Sequence, residues 1–140
     1  MQAGIGSLVV MGLMVARTAA EPCIQYEPTR VQLEGRVVRE TFPGPPNYES
    51  VEAGDKPEVV WILTLDRPVC VDASRTDEEN PREADVTRVQ LVLEPWQYDK
   101  YKAFVGHPAW VQGTLFHATT GHHHEAILMN VRRWGRPLKR

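Results

Sequence analysis

Apolar and polar residues alternate from Arg30 to Phe42. Val31, Leu33, Gly35 and Val37 fall on one face; Gln32, Glu34 and Arg36 fall on the other. A period of two predicts a half-buried strand, and Gly35 inside it predicts a bend or bulge. The stretch from Phe42 to Pro57 is rich in Pro, Gly, Asn and Asp and predicts a loop. A second strand is expected over Glu58–Val71, where Trp61, Leu63 and Leu65 alternate with the almost equally apolar Val60, Ile62 and Thr64. Apolar residues on both faces predict a central position in the sheet. The polar, acidic stretch Asp72–Asp85 predicts a solvated loop, and Val86–Leu93 a third strand with Val89, Leu91 and Leu93 facing inward.

The period then changes. Across Glu94–Val105, Tyr98, Tyr101 and Val105 recur at helical spacing, as do Trp96, Lys100 and Phe104. Pro95 stands near the start of this segment and Gly106 follows its end, which predicts one short helix. Strands four and five are expected over Pro108–Thr119 and Glu125–Trp134, with the basic tail, Arg132–Arg140, expected to fray. The resulting order, β-β-β-α-β-β, predicts an all-β fold with one short helix, a five-stranded OB-type barrel. A β-sandwich would need about seven strands. Gly35 and Gly113 fall where such a barrel bends.

The segment before the first strand adds a compartment. Ile5 to Val15 is almost wholly apolar, too short to span a bilayer, and ends in Thr18-Ala19-Ala20. It reads as a signal peptide over residues 1–20, with a single barrel domain over 21–140 and no transmembrane span in the mature chain. In an exported chain the two cysteines, Cys23 and Cys70, are expected to pair. An antiparallel hairpin of strands one and two brings the end of strand two back beside the start of strand one, where Cys23 can reach Cys70. Closing that loop is worth roughly 4 kcal/mol in the chain-entropy picture. The net charge of −2 lacks the basic footprint of a nucleic-acid binder.

Three motifs resemble one family. They are Thr41-Phe42-Pro43-Gly44-Pro45-Pro46-Asn47-Tyr48-Glu49-Ser50, then Leu65-Asp66-Arg67-Pro68-Val69-Cys70-Val71, and Gly113-Thr114-Leu115-Phe116-His117 with Thr120-Gly121-His122-His123-His124. Together they are similar to the bacterial domain-of-unknown-function family 4431. That resemblance implies an exported or envelope-associated protein, periplasmic or secreted. Here Glu125-Ala126 follows the histidines, where the family carries Thr-Pro.

Candidate chemistry concentrates in His117, His122, His123 and His124. Imidazole suits Zn, Cu and Ni, and the strand pairing decides which rings converge. With an odd loop, Leu115 lies opposite Ile127 and Val111 opposite Val131. His117 then faces Glu125 with His123 diagonal, and the metal set is His117, His123 and Glu125. With an even loop the set is His117, His122 and His124. The odd loop keeps one face apolar and is favoured, because burial fixes register. In OB barrels the loops joining strands one–two and four–five flank the ligand face. Asn47, Tyr48, His117, His122, His123 and His124 are therefore binding-face candidates. No nucleophilic triad or phosphate loop is recognisable, so no catalytic residue is assigned. The expected function is a non-catalytic module recognising an envelope protein, peptide or glycan. The alternative is a transition-metal binding protein or metal-dependent enzyme centred on the histidine hairpin.

Overall fold

The computed structural model describes residues 14–16 and 21–138. Five strands appear in chain order: β1 (Arg30–Pro43), β2 (Pro57–Val71), β3 (Glu83–Val92), β4 (Pro108–His117) and β5 (Ile127–Gly135). One helix, α1 (Pro95–Tyr101), lies between β3 and β4 and runs into a 3-10 turn over Lys102–Phe104. The strands close a barrel in the order β1-β2-β3-β5-β4. All pairs are antiparallel except β3 with β5. The fold is all-β with one short helix, in the element order the hydrophobic pattern predicts. The leader reading concerns residues 1–20, which lie outside the described residues apart from Met14, Val15 and Ala16.

Period two builds the interior. Val31, Leu33 and Val37 of β1 point in, with Leu63 and Leu65 of β2, Val89 and Leu91 of β3, Val111 and Leu115 of β4, and Ile127 and Met129 of β5. Gly35 pairs with Leu65 on one side and Ala109 on the other. A Cβ there would lie 2.0 Å from the Thr64 carbonyl oxygen, so the bend of β1 requires glycine. The break near Gly113 is a register shift between Gln112 and Gly113.

The helix is shorter than its periodicity suggests. Pro95 opens it, and the Glu94 N–H donates to Gln97 Oε1 at 2.7 Å. The Gln97 amide donates in turn to the Val131 carbonyl at 3.0 Å, fastening α1 to β5. Gly106, at φ 85°, ends the segment, and its N–H donates to Val37 O. Strand β5 runs through Arg132 and Trp134 to Gly135, one residue past the expected end of strand five, so fraying does not begin at Arg132; Arg136–Leu138 beyond it are not strand.

Before β1, Ile24 bridges to Val71 and exchanges backbone hydrogen bonds with Cys70 and Asp72. This places Cys23 against Cys70. The two form a disulfide with Cα atoms 4.7 Å apart, a bond that persists in oxidising compartments. Among the described residues no helix is long and apolar enough to cross a membrane.

Candidate functional site: the rim between the two long loops

The loop joining β1 to β2 is organised by one carboxylate. Asp55 is buried and accepts backbone N–H groups from Asn47 (2.9 Å), Glu49 (2.8 Å) and Ser50 (3.0 Å). The Ser50, Glu49 and Asn47 N–H groups stabilise the anion and hold its pKa below the ordinary carboxylate value. This turn forces Tyr48 to φ 58°, the left-handed region that a bulky side chain rarely adopts. The Tyr48 ring then packs on Gly121 of the β4–β5 loop, where a Cβ would come within 2.9 Å of it.

The β4–β5 loop, residues 118–126, crosses the outward face of β1, β2 and β3. Three side chains of the barrel hold it. Gln90 donates to the His122 carbonyl at 3.0 Å and accepts the His124 N–H at 2.6 Å, so one amide substitutes for two backbone partners. Arg88 binds Glu40 through two nitrogens at 2.8 and 2.7 Å and Glu125 at 2.6 Å. Glu58, the second residue of β2, receives two imidazoles, His122 Nδ1 at 2.5 Å and His124 Nε2 at 2.9 Å. Burial raises the Glu58 pKa, but the His124 and His122 hydrogen bonds outweigh it, and the carboxyl titrates below its ordinary value. His124 also stacks on Phe42, with ring centroids 4.5 Å apart and planes 9° from parallel.

One continuous chain results: Tyr48 OH to His122 Nε2 at 3.2 Å, then His122 Nδ1 to Glu58, then Glu58 to His124. The carboxylate fixes the orientation of both rings. His122 stays 61% exposed while the side chain of His124 is 9% exposed. The rim therefore presents an oriented imidazole beside a phenol, a surface able to exchange hydrogen bonds and stacking contacts with a ligand.

The other candidates lie elsewhere. His117 Nε2 meets Glu83 at 2.8 Å, and its backbone N–H donates to the buried Asn80 side chain. His123 Nδ1 accepts the N–H groups of Thr119 and Thr120, and its ring packs edge-on to Phe116. Burial, then the neighbouring His122 and His124, lower the His123 pKa. Glu125 belongs to Arg88. His117, His123 and Glu125 are thus not brought together, and His117 does not join His122 and His124. Among the described residues no three His, Cys, Asp or Glu side chains are arranged to hold one ion.

The odd loop is correct in parity, but the pairing is shifted. Leu115 faces Met129, His117 faces Ile127, and Val111 reaches Trp134 beyond the bulge. The hairpin opens two residues earlier than expected, since Gln90, Glu58 and Arg88 draw residues 122–125 onto the barrel face. Sequence reasoning missed Glu58, Gln90 and Arg88. Their one signal was a polar residue at outward strand positions, with Gln90 set inside the apolar run Val89–Leu93.

Residues 88–133 match the family model of the domain of unknown function DUF4431. It is the family that the motifs resemble. The matched segment runs from Arg88 through α1, β4 and both rim histidines, His122 and His124, to Arg133; Tyr48 and Glu58 lie before it. No curated protein and no solved structure matches the chain.

Proposed function

We propose that the chain is an exported, non-catalytic binding module of the bacterial envelope, periplasmic or secreted, that recognises a protein, peptide or glycan at the Tyr48–His122 rim. The observation that carries this reading is the direct contact between the two long loops. The loops that flank the ligand face of OB barrels meet here through Tyr48 and His122, which Glu58 and Gly121 hold in place. Function carried on loops over a rigid scaffold fits that arrangement. The apolar leader and the disulfide support export. In-cell photocrosslinking tests it. A crosslinker at His122 or Tyr48 is expected to give an envelope adduct of one defined mass, absent from a crosslinker at Arg75. Equal adducts at all three positions, or none at the rim, contradict it.

A second reading is favoured by one observation, the convergence of two imidazoles on Glu58. The chain would then bind Zn, Cu or Ni, or use one in catalysis, after a rearrangement of the β4–β5 loop. Elemental analysis of protein purified without a metal-affinity column separates the two, a stoichiometric metal favouring the second.

A further inference from the structure

The charge of the chain is unevenly distributed. From Pro95 to the C-terminus there are seven Lys and Arg against two Asp and Glu; the rest of the chain holds nine against sixteen. Part of this positive charge lies on one face, built from α1, the 3-10 turn, the start of β4 and the end of β5. None of these elements contributes a residue to the rim.

Aromatic rings and cations alternate across that face. Lys100 Nζ lies 5.5 Å from the Trp96 ring centroid. Arg136 Cζ lies 5.2 Å from the Phe104 ring. The Trp110 indole N–H donates to the Arg136 carbonyl at 3.1 Å, and Arg133 Cζ lies 6.0 Å from the Trp110 ring. Arg132 and Trp96 share a shallow cleft of about 220 Å³, whose lining also includes one carboxylate, Glu94. Among the described residues, Lys100, Arg132, Arg133 and Arg136 have no carboxylate partner; the ion pairs of the molecule involve other groups. Trp96 beside them is 59% exposed, and Leu138, two residues after Arg136 in the chain, is 92% exposed.

We propose that this face docks the barrel on an anionic phospholipid surface, with the cations on headgroup phosphates and Trp96 and Leu138 at the headgroup boundary. Unpaired cations are attracted to a negatively charged leaflet. Indole rings settle at such boundaries because one end is apolar and the other hydrogen-bonds to water. Arginine and lysine stems lie along apolar surface while their heads reach the phosphates. A soluble polyanion would satisfy the charges but leave Trp96 and Leu138 in water. The proposal does not depend on what the rim binds.

Vesicle sedimentation of the full chain tests it, comparing phosphatidylcholine alone with phosphatidylcholine mixed with phosphatidylglycerol. The apolar leader, where retained, contributes to both, so the readout is the gain on anionic vesicles. That gain is expected to be large at low salt and to fall as salt is raised. Replacing Arg132, Arg133 and Arg136 together by Ala is expected to weaken anionic binding by about fivefold per arginine, on the order of a hundredfold in all. The single exposed replacements Lys100→Glu and Trp96→Ala give smaller losses and answer the question if the triple variant folds poorly. Equal binding to both vesicles would overturn the proposal. So would unchanged binding by the variants, or binding to short DNA or heparin without binding to vesicles.

Discussion

Leu115 and Leu128 are both completely buried, yet different forces keep them dry. Leu115 points into the barrel among apolar side chains of all five strands. Leu128 points outward, opposite Phe116 and Gln90, and lies outside that core. What covers its face is a polar loop held by an amide, a guanidinium, two carboxylates and two imidazoles. The interior depends on contacts that neither pH nor salt alters much. The outward face depends on hydrogen bonds between groups that titrate. The barrel thus has an apolar frame and a polar cover, and His122 of the rim lies on the cover.

The largest expected effect comes from the interior. Leu115→Ala removes a buried side chain and leaves a cavity, at a cost of about 3 kcal/mol. Chemical denaturation is expected to show one cooperative transition at lower denaturant with an unchanged slope. A variant that loses only the loop contacts would erase the distinction between frame and cover.

Gln90→Leu comes next, at about 2 kcal/mol. It keeps the outward face apolar but orphans the His122 carbonyl and the His124 N–H. The loss is expected to concentrate in residues 118–126, read as accelerated amide exchange there, with Val89 and Val111 still protected.

Glu58→Gln is smaller, about 1 kcal/mol at neutral pH, because one amide replaces the doubly hydrogen-bonded carboxylate only in part. Its pH dependence is more informative. The folded pKa of Glu58 lies below the ordinary 4.5, so its stabilisation is complete above pH 4.5 and is lost as pH falls through the lower folded value. His123 adds a slope of the same sign: its folded pKa lies below the ordinary 6.5, so stability declines as pH falls through the window beneath 6.5. Stability profiles of wild type and Glu58→Gln are expected to converge in acid. Parallel profiles would remove Glu58 from the cover.

How much of this was legible depends on where each contact lies along the chain. The strands could be read because alternation at Val31–Leu33 or Val89–Leu91 reports burial residue by residue. The helix was overextended because Lys102–Phe104 keep helical spacing while tightening into a 3-10 turn. Apolar facing gave the correct parity of the β4–β5 hairpin. It could not give the two-residue shift, which is set by Gln90, 34 positions from His124. Tyr48 and His122 were singled out as unusual loop residues. Glu58 was not, since nothing local marks a carboxylate that meets imidazoles 64 and 66 positions away. Conversely, Asp55 looked like an ordinary loop acid, although it holds the turn that places Tyr48.

The measurement that tests the frame-and-cover account most directly is amide hydrogen exchange of the unmodified chain, followed from neutral pH to well below pH 4.5, where Glu58 takes up its proton. The account predicts a protected His124 N–H at neutral pH. That protection should weaken in acid with the rest of residues 118–126, while the amides of Val89 and Leu115 stay protected throughout. Free-loop exchange at His124 at neutral pH, or simultaneous loss of protection in loop and interior on acidification, would contradict it.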